Sequence, residues 1–502
     1  MGDKIIVKDN QWTFDYLEKI WVEIERVAKD YLKLDMYPNQ IEIVTSEQML
    51  DAYSLIGLPI SYPHWKFGKD FMSNRYDYLK GYQGLAYELV INSNPCISYN
   101  MEDNSAVMQA LVLAHAACGH NSFFKNNYLF KQWTDASSII DYMVFAKNYV
   151  TFCEEKYGAD LVETILDACH ALMDYGIDSY KKPAKLSLQK EEARLKKIQD
   201  VEEENVNDIW RTVPTFDMNP KDEFDTNPPA KFPAEPEENI LYFIEKNAPN
   251  LEPWKKELVR IVRKTAQYFS PQGQTKVMNE GWATMSHYLI INKLYEEKIV
   301  DDGFMIEFLK SHTNVISQPE FDSPYYSGIN PYTLGFNIFM DIKRICEDPT
   351  EEDKKWFPNL IGKDWLEEAH YAMKNFKDDS FVLQYLSPKV IRDMKLFLLS
   401  DDNEDENYHI NAIHNERGYE KIREKLSTQY SRSRYIPNIQ ITHVDKYKTR
   451  RMSLSYYIKD GKKLLDSETE QTVNYLFYLW EFPVKLYEQH EDGKKKIIAK
   501  AE

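Results

Sequence analysis

Two histidines lie five residues apart in the run Leu113-Ala-His-Ala-Ala-Cys-Gly-His-Asn121, and closely spaced imidazoles are a metal-ligand signal. On a straight α-helix, at about 100° per residue, His115 and His120 would project roughly 140° apart, whereas the i,i+4 pair of a zinc-peptidase helix is separated by only about 40°. A single π-type turn absorbs one extra residue, and Gly119 tolerates such distortion, so convergence of the two side chains predicts a π-bulge here. The competing expectation puts His115 in the core, hydrogen-bonded, and His120 at a helix C-terminus.

A second stretch, Lys276-Val-Met-Asn-Glu-Gly-Trp-Ala-Thr-Met-Ser-His287, sets Glu280 and His287 nearly two turns apart on one helical stripe with Ala283 and Thr284. A carboxylate in such apolar and aromatic surroundings needs a partner, either an imidazole or a cation from the basic stretch around Arg260, Arg263 and Lys264. The small residues Gly281 and Ala283 leave room for another helix to come close. Taken together, His115, His120 and Glu280 are the expected ligands of one divalent metal, with zinc favoured by the donor types. His64, Asn121, Trp282, His287 and His312 are the expected second layer or pocket wall. The glutamate that follows the first histidine in zinc peptidases is replaced by Ala116, or Ala117 in the other register, so any water-activating base comes from elsewhere and the spacing does not name it.

Other constellations are thinner. Asp167 and His170 sit at i,i+3 downstream of Glu154, Glu155 and Glu163, a faint likeness to di-iron bundles with aspartate for glutamate and only one copy of the motif. His409 and His414 repeat the five-residue spacing, but in a polar, acidic stretch that reads as surface. No P-loop, dinucleotide fingerprint or serine-hydrolase elbow is present, which disfavours nucleotide binding and serine chemistry.

The elements that would hold these groups follow from periodicity. Leu17, Ile20, Trp21, Ile24, Val27 and Tyr31 mark an amphipathic helix over 12–32. Segments 41–45, 60–65, 87–93 and 96–101 read as strands of one small sheet, with a buried helix after Ser105 carrying His115. Helices are expected over 138–155 and 160–173. A charged helix at 189–204 and a proline-rich extended stretch then make the strongest linker in the chain. Helical periodicity resumes from 240 to about 399. Past the acidic run 401–406, strands at 439–444, 452–458 and 484–487 and an Asp460-Gly461 turn mark a smaller tail. The fold class is mainly α with a small N-terminal β-sheet, a zincin-like α+β arrangement being compatible, and a small C-terminal α+β module. The divisions are 1–180, 181–238, 239–400 and 401–502, and the two regions flanking the linker are expected to pack as one unit because neither holds the full ligand set.

Composition narrows the classes further. With 43% hydrophobic and 28% charged residues the 502-residue chain can bury a large core. A net charge of −18 repels phosphate backbones and anionic membranes, so no nucleic acid is expected as a partner. No apolar run reaches the ~20 residues of a membrane span, and no signal peptide is evident at the N-terminus. Five cysteines without Cys-x-x-Cys spacing fit a reducing, cytoplasmic setting.

Several ordered blocks make the chain resemble the bacterial stage V sporulation protein R family: Leu58 to Trp65, Tyr87 to Cys96, Gln109 to Phe130, Asp167-Ala-Cys-His170, Glu237 to Pro249, Lys276 to Thr284, Ser311-His-Thr-Asn314, Gly328-Ile-Asn-Pro331 and Arg344-Ile-Cys-Glu347. The resemblance implies a cytoplasmic protein connected, in spore formers, with building the peptidoglycan cortex, and a general envelope or stress role in bacteria that do not sporulate. Three functions fit the residues. One is a divergent metal-dependent hydrolase of peptide or amide bonds using His115, His120 and Glu280. Another is a non-catalytic scaffold or regulator of envelope or cortex assembly that binds partner proteins. The third is a di-metal helical oxidase using Asp167 and His170.

Overall fold

In a computed structural model, the structure describes residues 11–55, 58, 60–79, 87–179, 232–233, 235–320, 323–396, 399–400, 409–410, 416–445, 448–458, 463–490 and 494–502. The linker helix at 189–204, most of the proline-rich stretch, the acidic run 401–406, His414 and the Asp460-Gly461 turn lie outside them. The chain is mostly helical with small sheets.

The first helix, Phe14–Asp30, starts where the Thr13 side chain accepts from the Tyr16 N–H, and buries Ile20, Ile24, Val27 and Ala28 along one stripe. Three strands form the N-terminal sheet: β1 (Asn39–Val44), β2 (Glu88–Ile91) and β3 (Cys96–Met101), in the order β1-β3-β2. β1 runs parallel to β3 and β2 antiparallel to it, so β2 is an edge. The expected strand at 60–65 is absent. Pro63 has no N–H to give a ladder, and Tyr62 and His64 instead turn toward the helix Ala159–Ala171 while Trp65 opens a helix, Trp65–Leu79.

Leaving β3, Ser105 caps the helix Ala106–Val112 by accepting from the Met108 N–H, and the chain runs without a break through a π-helical segment, Leu113–His120, into Asn121–Asn126. This continuous rod is almost wholly buried and lies against the helix Lys276–Glu296. The approach is close enough that a Cβ on Gly119 would stand 2.5 Å from the Ala283 Cα. On another side, Gly281 faces Gly335 of the helix Pro331–Glu347, where an added Cβ would come within 2.4 Å of the Gly335 backbone. The small residues of the Glu280 stretch therefore admit two helices rather than one. Trp282 and Met285 from one half of the chain share a core with Ala114, Cys118 and Phe123 from the other. The two regions flanking the linker thus pack directly on each other.

Two anchors fix these helices. Asp378, fully buried, accepts from the N–H groups of Val277 and Met278 at the start of the Glu280 helix, both at 2.9 Å. Arg344, on the Gly335 helix, makes a fork of 2.7 and 2.9 Å to the buried Asp353. Burial pushes the Asp353 carboxyl up, but the hydrogen bonds from Arg344 and Thr350 outweigh it and hold its pKa at about 2. Because the folded value lies below the unfolded one, this anchor stabilises above the ordinary carboxylate pKa of about 3.8 and loses its effect as pH falls through about 2. Asp353→Asn should therefore flatten the fall in stability between roughly pH 4 and pH 2 in acid-unfolding curves followed by circular dichroism. An unchanged acid limb would show that the pair carries no such linkage.

β4 (Leu399–Ser400) and β5 (His409–Ile410) form a two-stranded pair. Beyond it, the helix Glu416–Tyr430 packs on Asp378–Tyr385, burying Ile422 and Leu426 in the same core as the site helices. The C-terminal sheet comprises β6 (Ile439–Val444), β7 (Met452–Tyr457), β8 (Val484–Gln489) and β9 (Lys495–Ala501) in sequential order. The helix Asp466–Trp480 connects the parallel strands β7 and β8. Its buried side chains join a second core shared with the helices at 139–157, 159–171 and 253–274. All five cysteines are buried and unpaired. Among the described residues, no helix is long and apolar enough to cross a membrane.

Candidate metal centre

The π segment determines where the imidazoles go. Its wider turn brings the ring centroids of His115 and His120 to 4.6 Å, nearly perpendicular to each other. Glu280 meets both: its Oε2 lies 3.5 Å from the His115 Nε2 and 3.4 Å from the His120 Nε2. A tetrahedral ion with N and O ligands at about 2.0–2.2 Å sets donor–donor separations near 3.3–3.6 Å, the spacing found for both Glu280–histidine pairs. Among the described residues, this is the one group of three or more His, Cys, Asp or Glu whose ligand atoms gather so closely.

The opposite nitrogens are already engaged. The His120 Nδ1 is 2.9 Å from the Asn279 Oδ1, an atom that can only accept, so Nδ1 carries a proton and Nε2 is left to face the carboxylate. The His115 Nδ1 lies 3.0 Å from the His287 Nδ1, and the His287 Nε2 lies 2.8 Å from the His312 Nδ1, a row of three imidazoles leading away from the cluster. The His115 Nε2 and the Glu280 Oε2 are buried without a hydrogen-bond partner.

Charge follows the same geometry. Burial alone would raise the Glu280 carboxyl, but the charge of His120, with His115 close beside it, holds it well below the usual carboxylate range. Burial pulls His120 down, and Glu280 more than reverses this. His287 is pushed far down by burial, with His115 and His312 adding to the effect, and His312 falls to about 4 for the same leading reason. The cluster is thus a buried place that favours positive charge, backed by neutral imidazoles.

A carboxylate not singled out from the sequence completes the picture. Glu88, on β2, places its Oε1 3.8 Å from the His115 Nε2, and burial raises its pKa, with the charge of Glu280 adding to the rise and His115 and His120 opposing it. The available signal was a lone acidic residue at an inward-facing position of the strand Tyr87-Glu-Leu-Val-Ile91. A cavity of about 560 Å³ opens on the cluster, with Glu88, His120, Asn279 and Glu280 in its lining, Phe124, Tyr268 and Tyr332 as aromatic walls, and the exposed Lys276 at its rim.

The other expected residues divide. His287 and His312 stand behind His115, as the row above shows. Asn121 accepts from the Tyr37 N–H and donates to the Tyr37 carbonyl and Asn39, so it fastens the start of β1 rather than the cavity. Trp282 donates to the Ser122 Oγ and packs against Phe339 and His370 in the core. His64 lies elsewhere altogether. Its Nε2 is 3.1 Å from the Asp167 Oδ1, and its ring stacks on His170 at 4.4 Å. Asp167 also accepts from the Trp65 indole, and the His170 Nε2 is 2.9 Å from the Tyr62 hydroxyl. These contacts hold the helix Ala159–Ala171 to residues 62–65, where the chain enters the helix Trp65–Leu79, and burial with His64 drives the His170 pKa to about 3. Arg260 and Arg263, offered as partners of Glu280, both bond Glu245 at 3.0 Å instead.

Comparison with known proteins agrees over almost the whole length. A family model described as SpoVR like protein matches residues 11–435, and one described as SpoVR-like C-terminal domain matches residues 437–491. The chain belongs to the SpoVR family. The Escherichia coli (strain K12) protein named "Uncharacterized protein YcgB" is 56% identical over 487 residues, covering 97% of this chain and 94% of that protein. No solved structure matches. The junction between the two SpoVR models, at 435–437, falls just before β6, so the C-terminal model begins with the four-stranded sheet.

The Asn279 contact makes a direct test of the second layer in this SpoVR protein. Removing the acceptor frees the His120 ring to rotate and change tautomer, and second-layer losses of this kind typically weaken metal binding 10- to 100-fold. Asn279→Ala should show that loss in a chelator-competition titration, with Asn279→Asp recovering most of it. Equal affinities in all three proteins would separate Asn279 from the site.

Proposed function

We propose that the His115–His120–Glu280 cluster binds one divalent metal ion, zinc by donor type, in a divergent hydrolase of peptide or amide bonds. The observation that carries this reading is the pair of orphaned ligand atoms. The His115 Nε2 and the Glu280 Oε2 are buried, unpaired and 3.5 Å apart, with the His120 Nε2 at 3.4 Å from the same oxygen. Two imidazoles and a carboxylate this close need positive charge between them; a proton on His120 supplies it for one contact and leaves the His115 Nε2 unpaired, and an unpaired buried polar atom costs about 1–3 kcal/mol. A cation satisfies all three groups at once. Bound there, such an ion supplies a Lewis acid and an activated water at neutral pH.

The chain's own groups divide the remaining tasks. Asn279 and His287 hold the two ligand imidazoles in orientation. Glu88 has its carboxylate in the cavity beside the cluster, with a proton affinity raised by burial, and is the group we assign to take a proton from water and return it to the leaving amine. That role answers the lack of a glutamate at 116 or 117. The aromatic walls exclude water from an amide lying between Glu88 and the cluster. Two histidines from a buried helix beside a small sheet and a glutamate from a later helix are zincin-like in plan. We take the process served to be the one that the family resemblance implies in spore formers, formation of cortex peptidoglycan, whose peptide stems contain amide bonds. In non-sporulating bacteria it becomes general envelope maintenance in the cytoplasm.

The experiment is elemental analysis of protein purified without an affinity tag, paired with hydrolysis assays on peptidoglycan stem peptides. Wild type and Glu88→Gln should both carry about one metal per chain, and only wild type should cleave. Protein that holds no divalent metal would end the hydrolase reading and leave a scaffold that works by binding partner proteins.

A further inference from the structure

The cavity beside the cluster borders the edge of β2 away from β3, which pairs with no strand among the described residues, and we infer that this edge binds the substrate as an extended peptide bearing a carboxylate, seated by strand addition with its acidic group at Lys276. This deepens the hydrolase reading and rests on it.

The first observation concerns which parts of β2 meet the cavity. All four residues from Glu88 to Ile91 line it. Successive strand residues point to opposite faces, and here they do: Val90 packs with the core of the π segment, whereas Leu89 and Ile91 belong to the other core. A cavity touched by residues of both faces runs along the strand's edge, not over one face.

The second is the direction of the backbone. The Met101 N–H donates to the Tyr87 carbonyl, so 87 and 101 are a hydrogen-bonded pair of the antiparallel ladder. By alternation Leu89 and Ile91 also spend their backbone groups on β3, opposite Tyr99 and Ile97. Glu88 and Val90 therefore turn their N–H and C=O groups away from β3, toward the edge. A strand of this length spans about 13 Å, enough for a peptide of four residues beside it.

Charge selects among peptides. Glu88 and Glu280 make the inner lining acidic, and Lys276 supplies an exposed ammonium at the rim that forms no ion pair among the described residues. A carboxylate placed at Lys276 keeps clear of the inner acids, while a cationic side chain would leave Lys276 unmatched. The aromatic walls contributed by Tyr268 and Tyr332 suit small apolar neighbours.

Full-length Glu88→Gln protein, which keeps the backbone of β2, is titrated by calorimetry with acetyl-Ala-Glu-Ala-Ala-amide, its lysine analogue, and versions N-methylated one amide at a time. The acidic peptide should bind about tenfold or more tighter than the lysine peptide, and Lys276→Glu should reverse that preference. N-methylation should weaken binding about tenfold at alternate positions only, the loss expected from one hydrogen bond. Val90→Pro, whose missing N–H is not one used by β3, should retain its metal and thermal midpoint yet lose binding by the same factor. If Val90→Pro fails to fold, the N-methyl series decides alone. No binding, equal affinity for both peptides, or a flat N-methyl series would overturn the inference. Metal content of the same samples separates the two readings: metal present with peptide unbound sinks strand addition only, and alternating peptide dependence without metal sinks the hydrolase only.

Discussion

His120→Ala should abolish stoichiometric metal binding, and Glu280→Gln should come close to doing so. Each change removes one of the three ligands of the cluster, in which the His115 Nε2 and the Glu280 Oε2 are buried without a hydrogen-bond partner. Glu280→Gln also removes the negative charge that draws the cation and lowers cation affinity without changing shape. Metal bound only to the folded state stabilises it by about 4 kcal/mol when free metal exceeds the dissociation constant a thousandfold. Wild type stripped with chelator should therefore unfold at a lower temperature and recover on adding zinc, while neither variant responds to chelator or to zinc. Inductively coupled plasma spectrometry and scanning calorimetry on the same samples read both effects. A variant that keeps one metal per chain would show that the ion sits elsewhere.

Gly335→Ala should be strongly destabilising, its added methyl meeting the tightest contact of the described glycines compared. Its Cβ would lie 2.1 Å from the Val277 carbonyl oxygen, and the reciprocal change at Gly281 would press on the Gly335 backbone at 2.4 Å. Those neighbours are main chain, so no side chain can swing aside and the two helices must separate. Overpacking a tight core costs typically 1–3 kcal/mol, and a backbone-to-backbone clash belongs at or beyond the top of that range. Glu280 adjoins Gly281, so parting the helices also moves the ligand. Gly335→Ala and Gly281→Ala should lower both the unfolding midpoint and metal content. Gly68→Ala, where a Cβ meets nothing within 4 Å in the helix Trp65–Leu79, should be neutral or slightly stabilising. Equal midpoints in all three variants would refute the close-packing account.

The convergence of His115, His120 and Glu280 could be read from residue types because each constraint was local. Histidines five residues apart on one helix converge only through a π turn, and a lone acid in an apolar helix needs a partner. The small residues around Glu280 likewise announced close helix neighbours, although not that Gly119 and Gly335 would be those neighbours on different sides. What escaped was set by chain segments far apart in sequence. Glu88 looked like an ordinary strand residue, since only the pairing of β2 with β3 and the packing of the π segment on the sheet aim it at His115. His64 looked like a site residue by type, but Pro63, directly before it, denied that stretch a strand and left the imidazole free to meet Asp167. Arg260 and Arg263 had the right charge for Glu280, but Glu245 lies within their reach and is itself buried.

The π segment also separates two quantities that ordinary helices tie together, the count of residues between two side chains and the angle between them. Inserting one residue into an α-helix rotates everything beyond it by about 100°, unless the pitch changes to absorb the step. Here the pitch does change, so a four-residue gap on the helix rail carries the geometry that a three-residue gap gives elsewhere. The stretch after His120 keeps its phase as well, which is why Ser122 still meets the Trp282 indole and Asn121 still reaches Tyr37. Pattern searches keyed to a fixed interval pass over such a site, because the interval can lengthen while the bearing stays the same. For chains of this kind the bearing is the trait to compare.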